Sequence, residues 1–218
     1  MWPVIADLGL VKITAWGVGL AISFVLGSFI LWRRLRDDYD EERLLSLWLW
    51  LVVAAWLGSG TWACGWFNVC LPPLAAIDGA LILSVLTLGW WSRKYGWNFW
   101  ELVDVFGPIS LAVTILATIA WGPTLWLTTL SATLGVILAT LVRSIYRDLR
   151  WYTSGRTGFV GLVALGWWGV VQLVIANFDV WGLYSLGWFV TTATVLLYLR
   201  AGRKINNDWS RLWPRKKM

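Results

Sequence analysis

Seven long apolar runs alternate with short polar segments along this chain of 218 residues. Each run holds about 17 to 22 apolar residues, close to the ~20 that a helix needs to cross a hydrocarbon core of ~30 Å. The runs are continuous and not alternating, which favours helices over the strands of a membrane barrel. We therefore predict an all-α membrane protein, a bundle of seven transmembrane helices at about residues 13–32, 44–64, 74–91, 102–121, 125–142, 159–178 and 183–199.

All but one of the 18 Lys and Arg residues lie in four blocks that alternate with pairs of apolar runs. Only Lys12 lies outside these blocks. By the positive-inside rule, this segregation predicts that the N-terminus lies outside the cell and the C-terminus in the cytoplasm. Residues 200–218 then form a basic cytoplasmic tail. The blocks lie at residues 33–43, 93–94, 143–156 and 200–217.

The composition excludes a soluble single-domain protein, because 59% of the residues are hydrophobic and only 14% are charged. Many of the 21 Trp residues lie near the ends of apolar runs, a pattern typical of anchors at the headgroup level. The net charge of +6 comes from loops beside membrane segments, which indicates contact with anionic headgroups and not nucleic-acid binding. The first 12 residues lack the positively charged start of a signal peptide, so we expect no cleavage there.

Few side chains in the predicted spans carry chemistry. The chain contains no His, which removes the usual general base and the commonest metal ligand, and we expect neither metal nor cofactor. Asp78 and Asp104 lie near the ends of spans, where a carboxylate is either a helix cap or a functional group. We interpret Asp104 as structural and leave both readings open for Asp78. Cys64 and Cys70 lie close enough in sequence for a local disulfide, although two inert thiols are the alternative.

Uncharged polar and small residues also follow a pattern within the spans. Ser110, Thr114 and Thr118 repeat every four residues along one helix face, which indicates either close helix packing or the wall of a polar cavity. Gln172 and Asn177 require partners inside a bundle, so we expect at least one interhelical hydrogen bond there. Small residues that predict tight helix contacts occur in pairs at Gly58 and Gly60, Gly158 and Gly161, and Gly166 and Gly169.

Several short stretches carry a resemblance to a known family. Residues 1–9 lead to T-A-W-G at 14–17, and L-G-S-G at 57–60 ends the second run. F-W-E-L-V-D at 99–104 with Pro108 opens the fourth, and W-G at 168–169 and S-L-G-W at 185–188 follow. In this order they resemble the bacterial prolipoprotein diacylglyceryl transferases. The resemblance implies a protein of the bacterial cytoplasmic membrane that moves a diacylglyceryl group from phosphatidylglycerol to the lipobox cysteine of a pre-protein.

The positions that carry the family's chemistry hold other residues in this chain. The family's H-W-Y-G falls on residues 14–17, its H-G-G falls on Asp78-Gly79-Ala80, and Gln172 stands where the family has an arginine. The resemblance implies a lipid cavity lined by Trp16, Asp78, Thr118, Trp121, Trp168 and Gln172, with Asp104 and Pro108 as structural residues. We expect the replacements Trp16, Trp121, Trp168 and Trp188 to fill that cavity with apolar rings.

Three hypotheses about function remain. Transfer to a thiol requires a base and cationic donors for the phosphate leaving group, and the predicted spans contain no His, Lys or Arg at their centres. The first hypothesis is a non-catalytic homologue that binds phospholipid or a membrane partner. The second is an active transferase in which Asp78 is the base, with phosphatidylglycerol and a lipobox pre-protein as substrates. The third is an unrelated small transporter or membrane scaffold.

Overall fold

The chain folds into seven α-helices preceded by a two-stranded hairpin, in a computed structural model that describes residues 4–7, 12–63, 73–121, 126–146 and 156–201. Strands β1 (Val4–Asp7) and β2 (Lys12–Thr14) pair antiparallel. The helices are α1 (Ala15–Leu35), α2 (Glu41–Ala63), α3 (Pro73–Tyr95), α4 (Phe99–Trp121), α5 (Trp126–Ile145), α6 (Phe159–Ile175) and α7 (Val180–Arg200). Each predicted span coincides with a helix. The hairpin was not predicted.

Three helices begin directly after an Asp or Asn whose side chain caps the first turn. In each case the side-chain oxygen accepts a backbone N–H that has no partner within the helix. These capping residues lie in the short polar loops before α2, α4 and α7, and they determine where each helix begins. The pairs are Asp40 with Glu42 (3.1 Å), Asn98 with Trp100 (3.2 Å) and Asp179 with Gly182 (2.7 Å).

The helices α4 and α6 form the centre of the bundle. Helix α4 packs against α1, α5 and α6, while α6 also packs against α5 and α7, and α2 packs along α3. Glycines allow two of these contacts to reach backbone distance. A Cβ atom at Gly58 would overlap the backbone of Gly79 on α3, and one at Gly161 would overlap the backbone of Val103 on α4. These small residues therefore set the spacing of α2 from α3 and of α4 from α6.

Within the described part of the chain, four helices (α2, α4, α5 and α7) are long and apolar enough to cross a membrane, and α6 is apolar but shorter. Large apolar side chains cover the outside of the bundle, as Trp56 (73% exposed) and Val180 (79%) illustrate. Exposure of this apolar surface to water is unfavourable in free energy, whereas contact with lipid chains is not. The fold indicates a membrane protein.

The Lys and Arg residues of the seven described helices gather at one end of the bundle, which we name the basic end. Arg43 at the start of α2 lies 5.0 Å from the ring of Tyr95 at the end of α3. Arg200 at the end of α7 lies 4.2 Å from the ring of Trp100 at the start of α4. The cations that these helices contribute to the four blocks thus form one charged surface in the fold. The other cations of these helices, Arg33, Arg34, Arg93, Lys94 and Arg143, lie in the last turns of α1, α3 and α5.

Candidate functional site

A polar pair, Asp78 and Gln172, connects α3 to α6 inside the bundle. Gln172 is fully buried, and its Nε2 donates a hydrogen bond of 2.8 Å to Oδ1 of Asp78. Asp78 lies five residues after the start of α3 and Gln172 three residues before the end of α6, so the pair lies far from the basic end. The expected interhelical hydrogen bond is confirmed for Gln172. We name these two residues the Asp–Gln pair.

The Asp–Gln pair lies beside a close contact between α2 and α3 and contains one buried acceptor without a partner among the described residues. The backbone of α2 at Gly58 presses on Gly79, the residue next to Asp78. Oε1 of Gln172 is buried and has no hydrogen-bond partner among the described residues. An unsatisfied buried acceptor of this kind costs about 1–3 kcal/mol. This carboxylate and amide can accept hydrogen bonds and orient a donor, but they cannot neutralise a phosphate.

The described helices place no cation near the Asp–Gln pair. Within α1 to α7, every Lys and Arg lies in the first or last turns that form the basic end. No group of three His, Cys, Asp or Glu side chains in the described ranges is arranged to hold a metal ion. A phosphodiester placed beside Asp78 would therefore meet a carboxylate without a compensating charge from these helices, an unfavourable arrangement in a medium of low dielectric constant.

The hydroxyl stripe of α4 joins helices and does not line an open cavity. Ser110 Oγ accepts a 2.9 Å hydrogen bond from Nε1 of the buried Trp168 on α6. Thr118 Oγ1 lies 2.8 Å from Thr129 Oγ1 on α5. Thr114 and Thr118 also donate to backbone carbonyls of α4 itself. The stripe is thus a set of packing contacts in which each hydroxyl already has a partner.

Asp104 caps α6, a helix other than its own. Its Oδ2 and Oδ1 accept the N–H groups of Gly158 and Gly161 at 2.6 and 2.8 Å. Gly158 has a φ of 109°, a left-handed conformation that favours glycine, and it supplies no side-chain cap. The buried Pro108 lies one turn further along α4 and cannot donate to the carbonyl of Asp104. Asp104 therefore fixes the start of α6 against the start of α4.

A second contact at the basic end, between Tyr39 and Glu101, was missed by the sequence analysis. The hydroxyl of Tyr39, in the loop between α1 and α2, donates a 2.7 Å hydrogen bond to Glu101 Oε2 on α4. Burial, followed by this hydrogen bond and the negative charge of Glu101, raises the pKa of Tyr39 to about 12. Sequence separation of 62 residues hides the contact. Only the aromatic and acidic residues in the loop after α1 and at the start of α4 hint at it.

The tryptophans predicted to line or fill the cavity differ in where the structure places them. Trp168 is buried and packs against α4 and α5. Trp188 is 67% exposed on the outside of α7, so the expectation that it fills the cavity is wrong: its face of the helix points away from α6. The side chains of Trp16 and Trp121 lie outside the described residues, as do Cys64, Cys70 and the tail beyond residue 201.

Comparison of the chain with protein-family models and with curated proteins finds no match.

Proposed function

We propose that this chain is a non-catalytic membrane protein with the bundle of the prolipoprotein diacylglyceryl transferases, and that it binds phospholipid. The Asp–Gln pair carries the proposal. The resemblance aligns these two positions with a histidine and an arginine of the family. In this chain they hold a carboxylate and an amide that bond to each other. The arrangement removes the two groups on which transfer to a thiol depends.

The chemistry of transfer explains why these replacements support the proposal. A base must generate the thiolate of the acceptor, and cationic donors must stabilise the departing phosphate. Asp78 is the remaining candidate base, but its negative charge would repel the phosphodiester that it should help to cleave. The cations of the described helices lie at the basic end, the length of a helix away. Lipid binding requires neither group, because an apolar bundle surface and headgroup contacts suffice.

An active transferase is the alternative, and one observation favours it. Asp78 is only partly buried, and Gln172 fixes its orientation through Oδ1, as a partner residue orients a general base. In that case the bilayer localisation and the substrates implied by the resemblance, phosphatidylglycerol and a lipobox pre-protein, carry over to this chain as well.

A lipidation assay separates these two functions. The purified protein is reconstituted in vesicles that contain phosphatidylglycerol and is supplied with a lipobox peptide, with an authentic family enzyme run in parallel. The product measured is thioether-linked diacylglycerol by mass spectrometry. We expect product from the authentic enzyme and none from this chain. Turnover that Asp78→Ala abolishes and Asp37→Ala leaves intact would overturn the non-catalytic proposal.

A further inference from the structure

The basic end contains a cleft of about 360 Å³ between the ends of α1, α4, α5 and α6. Pockets of this size accommodate small ligands and headgroups. The walls combine two guanidinium groups with two carboxylates and several hydroxyls, and Leu35, Val105 and Val160 supply apolar surface. The polar lining includes Arg34, Arg143, Glu101, Asp104 and Thr157.

The two arginines of the cleft are suited to a phosphate group. Arg34 comes from the end of α1 and Arg143 from the end of α5, so arginines of two separate helices line one cavity. The ion pairs among the described residues join Arg36 to Asp37 and Arg43 to Asp40, and they involve neither arginine of the cleft. Guanidinium groups recognise phosphate oxygens through paired hydrogen bonds. Thr157 accepts from Asn98 at 3.3 Å and keeps its own proton to donate.

The two carboxylates of the cleft differ in how many hydrogen bonds they already accept. Asp104 already accepts two backbone N–H groups, and the Arg200 guanidinium interacts with it electrostatically. Glu101 accepts one hydrogen bond, from Tyr39, whereas a carboxylate accepts up to about four. Glu101 thus remains a strong acceptor in the same cavity as the two arginines. A purely anionic ligand would face this carboxylate, but a ligand with both a phosphate and an ammonium group would present an opposite charge to the arginines and to Glu101.

We infer that this cleft binds a headgroup with a phosphate and a primary ammonium group, of the phosphoethanolamine class. The phosphate lies at Arg34 and Arg143, and the ammonium group donates to Glu101. The positive-inside pattern sets the basic end at the level of lipid headgroups, which makes a membrane phospholipid the source. The inference rests on the proposed function, since it names the lipid and the site of the binding proposed there.

Native mass spectrometry of the full chain tests the inference. The protein is equilibrated in mixed micelles with equal amounts of phosphatidylethanolamine, phosphatidylcholine and phosphatidylglycerol that share one pair of acyl chains. Retained lipid is counted for the wild type, Arg34→Gln, Arg143→Gln, Glu101→Gln and the control Arg36→Gln, which changes a cation outside the cleft. Phosphatidylcholine carries the same phosphate but cannot donate an ammonium N–H, so it isolates the role of Glu101.

The wild type should retain phosphatidylethanolamine about tenfold more than the other two lipids, as expected for one charge-assisted hydrogen bond. Each arginine variant should lower retention of all three lipids, whereas Glu101→Gln, which still accepts from Tyr39, should remove only the preference. Arg143 is exposed, so its variant tests the site even if Arg34→Gln fails to fold. Equal retention of the three lipids, or no effect of either arginine variant, overturns the inference and leaves lipid binding standing.

Two further outcomes show whether the headgroup belongs to a lipid or to a soluble molecule, and whether the proposed function fails together with the inference. A wild-type protein that retains no phospholipid overturns both the inference and the proposed function. Addition of soluble phosphoethanolamine should displace bound phosphatidylethanolamine only at a concentration far above that of the lipid, because it lacks the acyl chains. Displacement by an equal concentration would assign the cleft to a soluble ligand and overturn the lipid assignment.

Discussion

Gln172 on α6 is hydrogen-bonded to Asp78 on α3, 94 residues away in the sequence, at 2.8 Å. This bond joins two helices that are not neighbours in the chain. It uses a donor that is fully buried and an acceptor that is partly buried. The bond therefore contributes to stability as well as to the chemistry of the site, and the two contributions can be measured separately.

A double-mutant cycle measures the strength of the Asp–Gln pair. Gln172→Leu, Asp78→Ala and the double variant should give a coupling free energy of about 0.6 kcal/mol and at most about 1.7 kcal/mol, the average and the maximum found for interhelical hydrogen bonds in a membrane protein. The measurement is the free energy of unfolding in mixed micelles. Thr194→Val is the control, because Thr194 donates only within its own helix and should couple to nothing. A coupling energy near zero would mean that the pair is not formed.

Removal of the Asp104 carboxylate should loosen the start of α6. Asp104→Ala leaves two N–H groups without their acceptor and should lower the free energy of unfolding by about 0.5–2 kcal/mol, the usual cost of losing a helix cap. Hydrogen exchange should increase at Gly158 and Gly161 specifically. Asp37→Asn, which removes an exposed ion pair, should change neither quantity. Unchanged exchange at these two glycines would contradict the assigned cap.

The raised pKa of the Tyr39 hydroxyl predicts that the protein loses stability at high pH. Its pKa of about 12 in the fold lies above the ordinary value of 10.0, so the folded state keeps the proton longer than the unfolded state. The resulting stabilisation is complete below about pH 10 and disappears as the pH rises through about 12. The melting temperature of the wild type should exceed that of Tyr39→Phe at pH 9, and the difference should shrink between pH 10 and 12. A difference that stays constant over this range would show that the contact does not depend on the phenolic proton.

Two glycine substitutions distinguish a close backbone contact from an open helix surface. Gly58→Ala places a methyl group against the backbone of α3 and should destabilise the bundle by about 1–3 kcal/mol. Gly187→Ala on α7 meets no atom within 4 Å and should be neutral or stabilising by up to about 1 kcal/mol. Thermal unfolding in detergent measures both variants. Equal effects would show that α2 and α3 do not meet at Gly58.

The sequence predicted the helices well because a span must satisfy its own backbone hydrogen bonds and cover about 30 Å with apolar residues. Both requirements are local and therefore visible in the order of residues. The hairpin was missed because its strands are only four and three residues long, too short for an alternating pattern to emerge. Which face of each helix meets which partner was not visible either, and this is why Trp188 was assigned to the interior.

The candidate site was only partly predictable. The need of Gln172 for a partner was visible in the sequence, because a buried amide in an apolar helix must be hydrogen-bonded. Asp78 was among the few polar groups available as that partner. The cap on α6 and the contact between Tyr39 and Glu101 depend on which distant segments meet the start of α4. No local pattern encodes such a meeting. The arginines of the cleft were visible as charge blocks, but only the fold brings Arg34 and Arg143 to one cavity.

One turn of α4 holds both Glu101 and Asp104, and these two carboxylates reach in different directions. Glu101 contacts the loop that follows α1, whereas Asp104 contacts α6 at its first turn and interacts with Arg200 at the end of α7. A change in the tilt of α4 would consequently displace both the loop after α1 and the first turn of α6, because this single turn holds on to both.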